Sequence, residues 1–303
     1  MSLPRLDAKD VSYAFADDIS PRMTIEPGAT IVVETRDAYD RQFDESLDIR
    51  RYLRERAERA TNPVTGPIAV QGARPGDGLA VTILEIRLVT RGYVAASPGV
   101  GVLHHAAMVP RVYPFDVRPD GLWFDGRVRL PLRPMIGVIG VAPSRGRIPS
   151  LQLGDHGGNM DCNDITVGTT VHLPVNVPGG NLSLGDAHAS MGFGEVYSGV
   201  NAGADACLHV QLEPGAGWER PWFETDREVM TIGIEDGIED AIEQAMRGMV
   251  QMLQGRLGVS ETEAIVLAGA AADMRLGQAA HFGVKVSAYA AFPKSAFVSS
   301  GTP

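Results

Sequence analysis

Short runs of apolar and β-branched residues between turn residues characterise the first two thirds of the chain. Four runs are rich in β-branched or apolar residues, and each has glycine or proline within two residues of one end: Thr30–Glu34, Leu79–Ile86, Met135–Val141 and Thr169–Leu173. Short runs of this kind, separated by turn residues, are typical of β-strands. The pattern predicts a mainly β structure up to about residue 220.

Beyond Asp236 the apolar residues change to helical spacing. They recur three or four positions apart between Ile238 and Leu253, which predicts an amphipathic helix with one buried face. Glycine favours the conformation that ends a helix, so we expect the helix to end near Gly255 or Gly258. The methionines on this helix are interpreted as core residues rather than ligands.

A second helix is predicted immediately afterwards. Ser260 stands three positions before Glu263, the spacing of a capping box. This helix is expected to continue to about Ala272, and a final strand is predicted over residues 284–289.

Length and charge limit the domain organisation and the class of partner. The 303 residues suffice for one large domain or two modest ones. We predict a β core over residues 1–220 and an α/β part over residues 221–303. The formal net charge of -10 argues against a nucleic-acid surface, which requires clustered positive charge.

Cysteine content and the N-terminal sequence bear on the compartment. Cys162 and Cys207 are the two cysteines, too few for a disulfide framework. Residues 1–18 mix charged and apolar residues without the apolar run of a signal peptide. No stretch is long and apolar enough to span a bilayer. We therefore expect a cytoplasmic protein without a membrane partner.

A charged segment interrupts the β pattern. Residues 46–60 are rich in arginine and glutamate. They could form a short exposed helix, but a solvated charged face is the favoured interpretation.

Ionisable residues are concentrated in one glycine-rich part of the chain. About 45 residues contain six candidates: His156, Asp161, Asp164, Asp186, His188 and Glu195. Glycines allow a backbone to approach a ligand closely, and ionisable groups cluster at functional sites. Carboxylates with imidazole suit zinc, and carboxylate-rich sites also suit calcium or magnesium. Taken singly, each residue has an ordinary structural explanation, since Asp beside Gly is common in turns.

The spacing within this region indicates which side chains converge. Asp186 and His188 are two residues apart, so on a strand they point to the same face. Glu195 follows a Gly-x-Gly bend that could turn it back towards them.

Two further groups are candidates for the site. Of the adjacent pair His104 and His105, at most one should reach a site from a strand; His105 is preferred, and a loop position for both is the alternative. Cys162 could act as a nucleophile beside His156, although a free cysteine is more often a small buried residue.

Several segments together resemble the acetamidase/formamidase family. They are ETRDAY (34–39), NPVTGP (62–67), IGVIGVAP (136–143), HGGNMD (156–161), LPVNVPGG (173–180), GDAHA (185–189) and GFGEV (192–196). Their order and spacing match those of the family from about residue 20 to the end. The segment 46–60 and the pair at 104–105 depart from the family pattern.

The resemblance implies a fold and a site. The fold would be a jelly-roll-type β-sandwich with an α/β C-terminal elaboration, and the protein a homo-oligomer. The activity would be metal-dependent hydrolysis of short linear amides. The site would comprise Glu34, Asp161, Asp186, His188 and Glu195, with His156 and Asn159 beside it.

A mechanism follows as a hypothesis. The residues Asp161, Asp186 and His188, with His105 as an addition, are predicted to bind a zinc or calcium ion. The predicted acid/base residues are Glu195 and, as second candidate, Glu34. The predicted substrate and oxyanion contacts are His156, Gly157, Gly158 and Asn159. The alternatives are a non-catalytic β-sandwich binding module with a structural metal and an amidase that depends on Cys162.

Overall fold

Two large β-sheets form most of the described chain. The computed structural model describes residues 3–40, 61–279 and 284–297. In chain order its strands are β1 (Arg5–Leu6), β2 (Ala14–Ala16), β3 (Met23–Ile25), β4 (Ala29–Thr35), β5 (Val64–Val70), β6 (Gly78–Leu88), β7 (Arg91–Ala96), β8 (Arg111–Arg118), β9 (Gly121–Phe124), β10 (Val128–Leu130), β11 (Met135–Gly140), β12 (Arg147–Pro149), β13 (Leu153–Gly154), β14 (Gly157–Asn159), β15 (Thr170–Pro174), β16 (Leu182–Ser190), β17 (Val200–Asn201), β18 (Ala204–Glu213), β19 (Trp222–Glu224), β20 (Glu228–Glu235), β21 (Asp273–Leu276) and β22 (Val286–Pro293). The helices are α1 (Ile238–Leu257) and α2 (Glu261–Ala271), with a 3₁₀ turn at Lys294–Ala296.

The first sheet has the strand order β1-β4-β18-β6-β15-β19-β20-β22-β21, and the second has β10-β9-β8-β7-β17-β16-β11-β14-β13. In the second sheet β5 also pairs with β16, and β3 pairs with β5. Neighbouring strands are antiparallel except for β1 with β4 and β3 with β5. A small third sheet pairs β2 with β12.

The core lies between the two large sheets. Ile31 and Val81 of the first sheet and Ile136 and Leu184 of the second are fully buried in one apolar cluster. Burial of such side chains contributes about 1.5–3 kcal/mol each. The shared core fixes the second sheet, and therefore the strands β11 and β16, against the first.

Helix α1 packs on strands β20 and β22. At Gly233 a Cβ would overlap the backbone of Ala241, so the absence of a side chain allows helix and sheet to touch. The helix ends at Leu257, and Gly258 adopts a left-handed conformation with φ 66°.

Most sequence-based elements are confirmed. The four predicted strands correspond to β4, β6, β11 and β15, and the Ser260–Glu263 capping box opens α2. The final strand runs over Val286–Pro293 rather than 284–289, because it continues along the whole of β20. The segment 46–60 lies outside the described residues.

The fold class is confirmed as mainly β with two helices near the C-terminus. The jelly-roll connectivity and the division at residue 220 stay predictions; the strands after that residue extend the first sheet through β15 and β19. Among the described residues, no helix has both the length and the apolar character that a bilayer crossing requires.

Candidate active site

Strands β11, β14 and β16 bring the central side chains together. Asp186 and His188 lie on β16, and Asp161 follows the end of β14 by two residues. Gly137 of β11 lies opposite Asp186, and its carbonyl accepts a hydrogen bond from the Asp161 amide. A Cβ at Gly137 would lie 2.5 Å from Asp161 Oδ1. Glycine at this position therefore makes room for the two carboxylates.

The three side chains form a compact buried group. His188 Nε2 lies 3.1 Å from Asp186 Oδ1 and 4.0 Å from Asp161 Oδ1. One ligand atom from each residue lies within 4.8 Å of the others, and each residue is at most 3% exposed. The predicted convergence of Asp186 and His188 on one face is confirmed.

Unusual backbone conformations accompany this group. Asp161, Asp186 and Glu195 have φ values of 47°, 49° and 39°, and neighbouring Asn62 has 56°. Residues other than glycine rarely occupy this left-handed region, and such strain concentrates at functional sites. The surrounding packing therefore holds these side chains in positions that the local sequence does not favour.

Glu195 returns to the group as its Gly-x-Gly context predicted. Its amide closes a turn onto the carbonyl of Gly192, and the residue is 5% exposed. Its carboxyl group interacts with the side chains of Asp161 and Gln278. A fourth ionisable side chain thus adjoins the buried Asp-Asp-His group.

Two amide side chains contact the carboxylates of the group. Gln278 Nε2 donates to Asp161 Oδ2 at 2.7 Å. Asn62 Nδ2 donates both to Asp186 Oδ2 at 2.7 Å and to Asn159 Oδ1 at 3.0 Å. These bonds leave the opposite oxygens of Asp161 and Asp186 directed towards His188.

The electrostatics are unfavourable without a cation. Burial, and then the charge of Asp186, raises the pKa of Asp161 to about 7. Burial, followed by the charges of Asp161 and Asp186, raises the pKa of Glu195 well above its usual range. Burial disfavours the imidazolium of His188, but the two aspartates raise its pKa. Buried carboxylates require pairing or a metal.

The donor set fits a divalent cation. It offers two carboxylates and an imidazole, the ligand types that zinc accepts, and its oxygens also suit calcium. Asp161 Oδ1 is buried and makes no hydrogen bond within the described ranges. His188 Nε2 faces the carboxylates, while the backbone of Gly199 lies against Nδ1, where a Cβ would overlap the ring. Asp161, Asp186 and His188 could therefore hold the ion through their facing atoms.

His156 and the following glycines lie beside this group on the second sheet. His156 is 4% exposed, stands edge-on to Phe15 at 5.0 Å, and burial lowers its pKa to about 4. Gly157 and Gly158 lie in β14 between β11 and β13, so strand pairing competes for the amides that were predicted as oxyanion donors. Their oxyanion role stays a prediction.

Two predicted site residues occupy other environments. Glu34 lies on β4, where Arg5 Nη2 approaches its carboxylate at 3.6 Å and the Ala8 amide at 3.4 Å. His105 is exposed in a turn and packs on His104 with 3.7 Å between ring centroids, which confirms the loop alternative for the pair. The Asp-Asp-His group of the described residues includes neither Glu34 nor His105.

The other sequence candidates have structural partners. Asp164 accepts hydrogen bonds from Arg275 and Tyr289, both at 2.9 Å. Cys162 is fully buried, and burial raises its pKa well above the usual value, which opposes formation of a thiolate nucleophile. Buried His172, which lies on β15, stacks on Trp222 with 3.6 Å between ring centroids.

The sequence did not identify two contributors, Asn62 and Gln278. Asn62 begins the NPVTGP segment, so its motif was recognised but not its contact with Asp186. Gln278 lies in no recognised motif. Gln278 follows β21, and its position depends on how β21 pairs with β22. The sequence pattern did not predict that pairing.

Comparison with solved structures finds similar proteins that are named acetamidase. Solved structures similar to the chain include acetamidase from Bacillus halodurans, with 34% identity, a TM-score of 0.89 and coverage of 97% of this chain and 98% of that one. Acetamidase from Yersinia enterocolitica has 30% identity, a TM-score of 0.91 and coverage of 98% and 94%.

Curated relatives give a more partial match. Acetamidase of Mycolicibacterium smegmatis is 27% identical over 266 residues, which is 65% of this chain and 64% of the relative. The chain spans less than two thirds of the length of the curated relatives it matches. The model of the Acetamidase/Formamidase family matches residues 5–152 and 147–297. With the family model covering nearly the whole chain, the protein belongs to the acetamidase/formamidase family.

Proposed function

We propose that the protein hydrolyses the C–N bond of a small linear amide, giving a carboxylate and ammonia. The observation that carries the proposal is the burial of Asp161, Asp186 and His188 as one group beside Glu195. Family membership supports it, since relatives bear the names acetamidase and formamidase.

The proposed ion ligands are Asp161 Oδ1, Asp186 Oδ1 and His188 Nε2, with zinc or calcium as the ion. When bound, such an ion would polarise a carbonyl oxygen and make water easier to deprotonate. Asn62 and Gln278 fix the two carboxylates by bonding their other oxygens, so the facing oxygens are oriented before the ion arrives.

Glu195 is the proposed general base and acid. Its carboxylate takes a proton from the attacking water as the new C–O bond forms at the carbonyl carbon. It returns that proton to the nitrogen as the C–N bond breaks, so the products are the acid and ammonia. Its place beside Asp161 in a buried site keeps this proton from bulk water.

The two alternatives predict different chemistry. A binding module with a structural metal has no use for a proton acceptor beside the ion, and it would release no ammonia. A Cys162-dependent amidase requires a reactive thiolate, which the buried thiol with its raised pKa does not favour.

Ammonia release from formamide, acetamide and propionamide tests the proposal. We expect turnover of at least one of them, and a loss of about 10²- to 10⁴-fold in Glu195→Gln with metal content unchanged. Exposed Glu219 provides the control Glu219→Gln, which should match the wild type. A folded, metal-containing Glu195→Gln protein with full turnover would remove Glu195 from its role.

Assembly and location are part of the proposal. We expect a homo-oligomer in the cytoplasm, with no nucleic-acid partner. Helix α2 supports assembly, since Ile265 and Val266 are 54% and 65% exposed and exposed apolar patches mark interaction sites. Light scattering of the purified chain gives the subunit number.

A further inference from the structure

Two buried amide groups next to the carboxylates have complementary unpaired atoms. Asn159 Nδ2 and Gln278 Oε1 are both buried and form no hydrogen bond within the described ranges. Both residues are 0% exposed. A buried polar atom without a partner costs about 1–3 kcal/mol, so these two atoms call for a ligand that supplies an acceptor and a donor.

The orientation of the Gln278 amide follows from its neighbour. With the proposed ion bound, Asp161 is an ionised carboxylate that only accepts hydrogen bonds, so Gln278 presents its NH₂ group to Asp161 Oδ2. The opposite end, Oε1, is then necessarily the unpaired one. The Gln278 backbone is fixed as well: its amide donates to Ser287 Oγ at 2.8 Å, and its carbonyl accepts from the Ser287 amide at 2.8 Å.

The orientation of the Asn159 side-chain amide follows in the same way. Asn62 presents its NH₂ group to Asp186 Oδ2, and its second N–H bonds Asn159. Asn159 must meet that N–H with its oxygen, so its own NH₂ group is the end without a partner. The donor of Asn159 and the acceptor of Gln278 are thus each set by an aspartate of the proposed ion site.

We propose that these two groups recognise the carboxamide of a primary-amide substrate: Asn159 Nδ2 donates to its carbonyl oxygen, and Gln278 Oε1 accepts from its N–H. This inference rests on the proposed amide hydrolysis and adds a determinant of substrate class. A primary amide carries one carbonyl acceptor and N–H donors, the complement of the two unpaired atoms. An ester of similar size has an oxygen in place of the N–H group and leaves Gln278 Oε1 unsatisfied. Sites built to bond a substrate N–H discriminate strongly against analogues that lack it.

The test compares acetamide with methyl acetate in wild type and Gln278→Met. Methyl acetate is measured as a substrate or, where it is not hydrolysed, as a competitive inhibitor of acetamide hydrolysis. We expect Gln278→Met to lower the preference for acetamide over the ester at least about tenfold. Exposed Gln251 on α1 gives the control Gln251→Met, which should keep the wild-type preference. Equal losses for both compounds in Gln278→Met would show that Gln278 only supports Asp161 and would overturn the inference.

Three further measurements complete the test. Asn159→Asp removes the donor to a carbonyl that both compounds have, so it should weaken both equally and leave the preference unchanged. Gln278→Glu retains an acceptor at the Oε1 position, so it should keep the preference for acetamide even if total turnover falls. Loss of that preference in Gln278→Glu would contradict the inference. This variant also serves as the test if Gln278→Met does not fold. Gln278→Met also removes a hydrogen bond to Asp161, which should weaken metal binding, so the preference is measured at saturating zinc or calcium; a preference that returns to the wild-type value there would assign Gln278 a purely structural role.

Failure of the proposed function would look different. Wild-type protein that releases no ammonia from any amide removes the proposed function itself. Wild-type turnover of acetamide with an unchanged preference in Gln278→Met removes only the recognition by Gln278.

Discussion

The buried imidazole of His156 makes a specific prediction about acid stability. The ring is 4% exposed and packs edge-on against Phe15, and Gly158 lies so close that a Cβ there would be 3.0 Å from Nε2. Burial lowers the pKa of His156 to about 4. The folded protein therefore keeps this ring neutral at pH values where an unfolded chain protonates it.

The sign and size of the effect follow from proton linkage. Because the folded pKa lies below the unfolded one, the unfolded state binds the extra proton, and stability falls as the pH drops from about 6.5 to about 4. Between pH 8 and pH 5 the loss attributable to His156 is roughly 2 kcal/mol. Below about pH 4 both states are protonated and the loss stops growing.

The assay is urea unfolding at a series of pH values for wild type and His156→Gln. The substitution removes the titrating group, so the variant should lose about 2 kcal/mol less than wild type between pH 8 and pH 5, whatever its absolute stability. Exposed His105 gives the control His105→Gln, which removes an imidazole from the surface rather than from the interior. Parallel curves for wild type and His156→Gln would refute the burial argument.

Three other substitutions test separate parts of the structure. Gly199→Ala places a Cβ on the His188 ring and should weaken metal binding about 10- to 100-fold, measured by titration calorimetry. The matched control is Gly192→Ala, where the added Cβ meets open space. Equal metal affinities in the two variants would contradict the packing argument. Contacts with His172 Nε2 at 3.4 Å and with Lys294 Nζ at 2.9 Å lower the pKa of Glu224 to about 2. Glu224→Gln should therefore cost about 1 kcal/mol at pH 7 and less as the pH falls from about 4.5 towards 2; chemical unfolding that shows the same cost at pH 7 and at low pH would refute this. Cys162→Ala should retain ammonia release, and its complete loss in a folded protein would restore the thiol mechanism.

The sequence predicted the elements that depend on local patterns. The strand at Thr30–Glu34 and the capping box at Ser260 rest on β-branched runs and on a three-residue spacing, and both are present. The predicted extent of the last strand was wrong, because the strand ends at Pro293, where its pairing with β20 ends. That pairing is a long-range interaction.

The site was predictable where its residues are close in sequence. Asp186 and His188 share a strand, and Glu195 follows a bend whose glycines permit the turn. Asn62 and Gln278 reach the same aspartates from 124 and 117 residues away. Contacts at that separation arise from sheet order and register, which a single sequence does not encode in a local pattern.

The central claim is that amide hydrolysis depends on an ion held by Asp161, Asp186 and His188. The most direct measurement is ammonia release from acetamide by purified protein, by the same protein after chelation, and after zinc or calcium is added back. We expect chelation to abolish release, one of the two ions to restore it, and neither ion to restore release by Asp186→Asn. Undiminished release from metal-free protein would contradict the central claim.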